Sequence, residues 1–145
     1  MVALIQRVSK AQVRVDGRII SSIKEGMLVL LGIRKGDTKD QAVKLAERCV
    51  NLRIFEDSGG KFNLSLKDTD GAALVVSQFT LLADTVRGRR PSFTDAEEPE
   101  RSNELYELFI RAINDCGIEA RGGVFGARML VSLDNDGPVT IIMEE

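Results

Sequence analysis

The strongest constraint on the fold is a continuous apolar run, Met27-Leu-Val-Leu-Leu-Gly-Ile33, which follows Gly26. A run this short, without polar residues at every second position, is typical of a strand that is buried on both faces. Such a strand has to lie inside the molecule, where other elements cover both of its sides.

Apolar periodicity predicts the remaining elements. Thr38-Lys-Asp-Gln41 has the spacing of a capping box and begins a predicted helix over about 38 to 51. A second amphipathic helix is predicted before Gly117, which occupies the usual C-terminal position. Strands are predicted over 2–8, 11–15, 18–23, 52–55, 62–66, 72–83, 118–121, 127–134 and 139–143. Two helices among eight or nine strands predict an α+β fold, whose strands form a barrel or paired sheets.

Length and composition limit the organisation of the chain. The 145 residues fit one domain, 1–145, and no apolar run approaches the ~20 residues of a membrane helix. The N-terminal residues 1–7 lack the plan of a signal peptide, so we expect a cytoplasmic protein. The net charge of -2 argues against non-specific coating of nucleic acid, which needs many Lys and Arg contacts to phosphates.

The chain contains no histidine, and this excludes several kinds of site. Ser-His-Asp and Cys-His nucleophile systems are impossible, as are zinc sites built from His and Cys. Cys49 and Cys116 fall on apolar helix faces and are interpreted as small buried hydrophobic residues. GxGxxG and Walker motifs are absent, so neither a cofactor nor a metal is predicted.

Polar residues interrupt the most apolar strand, Leu74–Leu82, which contains Ser77, Gln78 and Thr80. The period of two would place Gln78 and Thr80 on one face. An unpaired buried amide costs roughly 1 to 3 kcal/mol, so these side chains are either hydrogen-bonded within the sheet or line a polar site. The sequence leaves both alternatives open.

Two further features remain open from spacing alone. Gly137-Pro138 interrupts an apolar C-terminal run, because Pro has no N–H for a ladder, and a turn there has either a trans or a cis bond. The basic cluster Arg87, Arg89 and Arg90 is either a solvated loop or a local phosphate contact.

Together these segments resemble the D-aminoacyl-tRNA deacylases, and the resemblance is collinear over essentially the whole chain. It rests on Met1-Val-Ala-Leu-Ile-Gln-Arg-Val8, Leu28-Val-Leu-Leu-Gly32, Arg53-Ile-Phe55, Ser77-Gln-Phe-Thr-Leu81, Arg90-Pro-Ser-Phe93 and Asn135-Asp-Gly-Pro-Val-Thr140. The resemblance implies a homodimer of β-rich protomers with the active site at the subunit interface. It also implies hydrolysis of the ester that joins a D-amino acid to the terminal adenosine of a transfer RNA.

The resemblance assigns roles to individual residues. The carbonyl oxygens of Gly137 and Pro138, joined by a cis bond, would enter the partner's pocket and hold the substrate's α-ammonium group. An L side chain would then strike this backbone, whereas a D side chain or glycine, as in glycyl-tRNA, would be accepted.

The catalytic residues follow from the same resemblance. The backbone N–H of Phe79 would stabilise the oxyanion, Gln78 and Thr80 would orient the ester or water, and the adenosine 2′-hydroxyl would assist. Ser77 would bind the substrate, and Met129 would line the adenosine pocket or pack in the core.

Two other classes of function compete with this hydrolase. The missing catalytic base and the basic loop are also compatible with a non-catalytic module that binds RNA ends. A purely structural protein that acts through its interface is the third alternative.

Overall fold

The predicted α+β class is confirmed by a computed structural model, which describes residues 1–86 and 88–145. The elements are β1 (Val2–Val15), β2 (Arg18–Ile23), β3 (Gly26–Gly32), α1 (Lys39–Val50), β4 (Phe55–Glu56), β5 (Phe62–Leu64), β6 (Ala72–Ser77), α2 (Pro99–Asp115), β7 (Ala120–Gly122) and β8 (Leu130–Glu144). Short 3₁₀ helices span Leu66–Asp68 and Phe79–Leu82. No helix in the described part of the chain is long and apolar enough to cross a membrane.

The large sheet is built around β1. This strand pairs antiparallel with β2 and β3 on one side and with β8 on the other, and β6 and β7 extend the sheet in parallel beyond β3. Side chains join the ends of the sheet: Ser21 Oγ donates to the Gly122 carbonyl at 2.7 Å, and Arg121 Nη1 donates to the Ser22 carbonyl at 2.8 Å. The sheet is therefore nearly closed and barrel-like, and β4 and β5 form a separate small hairpin.

Two apolar clusters lie on opposite faces of β3 and β6. Met27, Val29 and Leu31 pack with α1 and α2, whereas Leu28 contributes to the interior of the curled sheet. Residues of β6 alternate between the same two clusters. This confirms that the continuous apolar run forms a strand buried on both faces.

The local signals at the helix ends are also confirmed. Thr38 Oγ1 accepts from the Gln41 N–H at 3.3 Å, and the Thr38 N–H donates to Gln41 Oε1 at 2.8 Å. Gly117 follows α2 with a φ of 84°, a conformation that favours glycine. Cys49 is fully buried as predicted, but Cys116 is only half-buried.

Several predicted strand boundaries are wrong, including that of 52–55, where the structure has only Phe55–Glu56. The strand predicted over 72–83 ends at Ser77, because β3 ends at Gly32 and the Gln78 N–H makes a last bond to the Leu31 carbonyl at 2.8 Å. The 3₁₀ helix Phe79–Leu82 follows, so the alternation of faces predicted for 78 and 80 does not apply. The paired predictions at 2–8 and 11–15, and at 127–134 and 139–143, are each one long strand, β1 and β8.

Candidate functional site

Gly137 and Pro138 lie in a wide bulge of β8. Asn135 pairs with Val8 and Thr140 with Gln6, so that the four residues 136–139 face the single residue between Gln6 and Val8 on β1. Both Gly137 and Pro138 are exposed, and the bond between them is cis. The extra chain length pushes this dipeptide out of the hydrogen-bonded ladder.

Arg7, the residue opposite the bulge on β1, contacts the bulge with its side chain. Its side chain is 7% exposed, and Nε donates to the Asp136 carbonyl at 3.0 Å while Nη1 donates to the Ile54 carbonyl at 2.8 Å. The guanidinium also lies 3.3 Å from a carboxylate oxygen of Glu56 and 5.2 Å from the Phe62 ring centroid. The bulge is therefore tied to the β4–β5 hairpin by a buried cation.

The side chain of Asn135 forms hydrogen bonds across the bulge. Its Oδ1 accepts from the Val139 N–H at 2.9 Å, and its Nδ2 donates to Thr140 Oγ1 at 2.9 Å. Gly137 has a φ of 128°, and a Cβ there would lie 2.8 Å from Val139 Cγ2 and 3.1 Å from the Val139 backbone nitrogen. Any larger residue at position 137 would displace the bulge.

A cleft of about 530 Å³ lies away from this bulge, at the end of β6. Four predicted site residues line it: Ser77, Gln78, Phe79 and Met129. The other lining residues are Val76, Phe93, Ala96, Glu97, Pro99, Ser102, Phe125, Gly126, Ala127 and Val131. Thr80, Gly137 and Pro138 are not among them, so a single chain brings together only part of the predicted site.

The change from strand to 3₁₀ helix exposes backbone donors at the cleft. In an i to i+3 pattern the first bond of this helix is made by the Leu81 N–H, which donates to the Gln78 carbonyl at 3.3 Å. The N–H groups of Phe79 and Thr80 have no acceptor in residues 1–86 and 88–145. Two adjacent donors are therefore available where Phe79 borders the cleft.

Gln78 and Thr80 are joined to each other. Gln78 Nε2 donates to Thr80 Oγ1, and Thr80 is exposed. Within the described residues, no carboxylate or lysine is hydrogen-bonded to this hydroxyl. The geometry orients the Gln78 amide but offers Thr80 no general base.

Tyr106 of α2 connects two walls of the cleft. Its hydroxyl donates to the Val75 carbonyl at 2.8 Å and accepts from the Gly123 N–H at 3.0 Å, joining β6 to the segment that leads to Phe125 and Met129. Burial raises the pKa of Tyr106 to about 12, so the hydroxyl keeps its proton. The ring lies 5.9 Å from that of Phe125, which lines the cleft.

Aromatic and acidic side chains complete the cleft. Phe79, 53% exposed, contacts Phe93 edge to face with ring centroids 5.0 Å apart. The backbone N–H groups of Glu98 and Gly36 donate to the Glu97 carboxylate and lower its pKa, so it stays ionised. The cleft combines apolar walls for a flat ring with backbone donors and one carboxylate.

Comparison with known proteins identifies the family. The family model described as D-Tyr-tRNA(Tyr) deacylase matches residues 4–144. The chain belongs to this deacylase family. D-aminoacyl-tRNA deacylases from Aquifex aeolicus and Geotalea daltonii are 54% and 58% identical over 99% of this chain and 97% and 96% of their own lengths.

Solved structures share the deacylase fold. One, described as a c-Myc DNA unwinding element binding protein, is 39% identical with a TM-score of 0.93, and covers 100% of this chain and 99% of its own. A probable eukaryotic D-amino acid tRNA deacylase has a TM-score of 0.82 over 98% of this chain and 97% of its own, and at 16% identity it shows the fold alone.

Two deacylase residues with clear structural roles were not predicted from sequence. Arg7 is a charged residue at an otherwise buried strand position, which was a usable signal. Tyr106 falls on the apolar face of α2, where its hydroxyl gives no sign of its partners. No group of three His, Cys, Asp or Glu residues that could hold a metal occurs in the described part of the deacylase.

Proposed function

We propose that this protein hydrolyses the ester of D-aminoacyl-tRNA, releasing transfer RNA and a free D-amino acid. The observation that carries the proposal is the Phe79 N–H at the border of the cleft, which has no acceptor among the residues that the structure describes. The membership of the chain in the deacylase family supports aminoacyl-tRNA as the substrate class. The whole chain, 1–145, would act as one cytoplasmic domain.

In the proposed reaction, water adds to the ester carbonyl carbon, and the bond to the ribose oxygen then breaks. The Phe79 N–H donates to the oxyanion that forms, and one such donor is typically worth ~3 kcal/mol of transition-state stabilisation. The Gln78 amide, oriented by Thr80, positions the ester or the water, and Ser77 borders the same end of the cleft. The resemblance to the deacylases implies that the substrate's 2′-hydroxyl assists the proton transfer, and a chain without histidine agrees with this role.

The adenosine would occupy the apolar part of the cleft. Phe125 and Met129 line the cleft and are suited to the face of an adenine ring, and Phe93 and Phe79, which also line it, pack on each other. Met129 would then bind substrate, a role supported by its place in the lining of the cleft.

Chirality selection would require a second copy of the chain. Gly137 and Pro138 are exposed on a braced bulge and do not line the cleft of their own chain. We therefore propose a homodimer in which their carbonyl groups reach the partner's cleft and hold the α-ammonium group. An L side chain would meet this backbone, while glycyl esters, including glycyl-tRNA, would pass.

Initial rates on D-Tyr-tRNA, L-Tyr-tRNA and Gly-tRNA test the proposal. We expect the D and glycyl esters to be hydrolysed well above their spontaneous rates and the L ester to remain. Thr80→Ala should keep substantial activity, whereas a substrate ending in 2′-deoxyadenosine should react poorly. A dead Thr80→Ala variant with a normal deoxy substrate would instead identify threonine as the nucleophile.

Gly137→Ala tests the role of the bulge. The added Cβ has no space, so we expect the ratio of D to L rates to fall at least about tenfold, with a smaller loss of D activity. Gly17→Ala is the matched control, because Gly17 also has a positive φ, 77°, but nothing within 4 Å of a Cβ. Unchanged discrimination in Gly137→Ala, or a protein that sediments at its chain mass of 15.9 kDa and still discriminates, would refute the shared site.

A non-catalytic nucleic-acid-binding module is the second candidate. It is favoured by the similarity to the DNA unwinding element binding protein, with a TM-score of 0.93 at 39% identity. That reading requires all three esters to decay at their spontaneous rates while the protein still binds RNA or DNA ends.

A further inference from the structure

The loop between Asp84 and Ser92 carries basic residues that the proposed reaction does not use. Asp84 and Ser92 exchange two backbone hydrogen bonds, of 2.8 and 2.9 Å, which close the loop at its neck. Arg89 and Arg90 are exposed near its tip. Arg87 lies outside the described residues and is left unchanged in every variant below.

The neck of this loop lies at the cleft. Ser92 directly precedes Phe93, which lines the cleft and contacts Phe79 at 5.0 Å between ring centroids. Arg90 and Arg89 are two and three residues from Ser92, which corresponds to about 7 to 11 Å of extended chain. The backbone of both arginines therefore lies within this distance of the residue that precedes Phe93.

These two arginines differ from the basic residues of the surface that are held in ion pairs. Lys10, Lys39 and Arg111 have carboxylate oxygens at 3.0, 2.6 and 3.8 Å. Neither Arg89 nor Arg90 has a carboxylate within 4.0 Å, or any hydrogen-bond acceptor, among the residues that the structure describes. Their charges are available to an external anion.

The charges around the cleft differ between the wall that contains Glu97 and the loop that carries Arg89 and Arg90. The ionised Glu97 lines the cleft. This carboxylate repels phosphates, although Arg101 and Lys35 act on it from the same side, whereas the loop attracts them. A nucleic acid that places its terminal adenosine in the cleft would leave along the loop.

We propose that Arg89 and Arg90 bind the phosphates of the single-stranded 3′ end of the transfer RNA, next to the terminal adenosine. The planar guanidinium suits bidentate hydrogen bonding to phosphate oxygens. The contact adds affinity for the polynucleotide without taking part in ester hydrolysis. It rests on the proposed function for the identity of the RNA, but binding measures it independently of catalysis.

The test compares a substrate with phosphates to one without. The variants are Arg89→Gln, Arg90→Gln and the double variant, with Arg111→Gln on α2 as the control for loss of one surface charge. The substrates are D-Tyr-tRNA and D-tyrosyl-adenosine, which has no phosphate. Binding of an uncharged RNA hairpin with a CCA end is measured in parallel by fluorescence anisotropy.

Counterion release sets the expected size of the effect. Each phosphate contact to a single strand contributes about 0.7 to the slope of log affinity against log salt concentration, so the double variant should lose about 1.4. Between about 50 and 200 mM salt, this makes the decrease in kcat/KM on D-Tyr-tRNA about sevenfold smaller in the double variant than in the wild type. Activity on D-tyrosyl-adenosine should stay within about twofold.

Two results would overturn the proposal. One is an unchanged salt slope for hairpin binding and for kcat/KM in the double variant, and the other is an equal loss on D-tyrosyl-adenosine, which would mean that the loop shapes the cleft. Failure of the proposed function gives a different pattern. The wild type would then hydrolyse neither ester, while the anisotropy slope would still support or reject the role of the loop.

Discussion

Replacing Arg7 by methionine should destabilise the protein far more than removing an exposed cation. The substitution removes two hydrogen bonds from a charged donor, to the carbonyl groups of Ile54 and Asp136. At about 1.5 to 3 kcal/mol each, their loss sums to about 3 to 6 kcal/mol. The carboxylates of Glu56 and Asp136, 49% and 58% exposed, remain hydrated and add little. Since methionine restores some packing, we expect a loss of about 3 to 5 kcal/mol in the free energy of unfolding.

Urea denaturation measures this loss, with Lys10→Met as the matched control. Lys10 lies on the same strand and pairs with Asp134 at 3.0 Å, but its side chain is 71% exposed, so its replacement should cost less than about 1 kcal/mol. Both variants should keep the wild-type dependence on urea concentration. If the two variants differ by less than about 1 kcal/mol, the reasoning that Arg7 braces the bulge is refuted.

The same brace should affect discrimination between D and L esters. Arg7→Lys keeps the charge, but its single nitrogen lacks the forked geometry that serves both carbonyl groups. We expect the bulge that carries Gly137 and Pro138 to lose its position, and the ratio of D to L hydrolysis rates to fall in the folded variant. A ratio equal to that of the wild type would show that the contacts of Arg7 with the bulge do not affect substrate selection.

Two other substitutions or treatments have defined outcomes. Tyr106→Phe should lower the free energy of unfolding by about 0.5 to 1.5 kcal/mol and reduce kcat/KM on D-tyrosyl-adenosine. The Val75 carbonyl and the Gly123 N–H then lose the tyrosine hydroxyl and keep only their direct bond of 3.1 Å. Wild-type values for both quantities would contradict a role of the hydroxyl in joining the two walls. Burial raises the pKa of Cys49 to about 12, so a thiol reagent at pH 8 should modify Cys116 in the native protein and Cys49 only after unfolding, as read by mass spectrometry. Equal modification of both thiols in the native protein would show that Cys49 is accessible.

The sequence by itself determined the elements whose signals are local. The capping box of α1, the glycine after α2 and the apolar run of β3 each lie within a few residues, and each is confirmed. The motifs around Ser77 and Gly137 also identified the family, which the comparisons confirm. Local periodicity works here because helix and strand repeats depend on neighbours along the chain.

The tertiary structure decided where these elements end and what they build. The strand after Ala72 stops at Ser77 because its parallel partner β3 ends, and the turn that follows exposes the Phe79 N–H. The bulge at Gly137 depends on the register of β8 against β1, in which Gln6 pairs with Thr140. Neither the end of β6 nor the size of the bulge in β8 follows from the residues next to it in the sequence.

The hydrogen bonds that support the candidate site also join residues that are distant in sequence. Arg7 contacts Asp136, and the Tyr106 hydroxyl joins Val75 to Gly123. These residues are far apart in sequence, so their pairing depends on the register of β8 against β1 and on the packing of α2 against the sheet. The sequence specified the chemical groups of this deacylase, whereas the closed sheet determined which of them meet, because hydrogen bonds and packing act over a few ångströms in space regardless of separation along the chain.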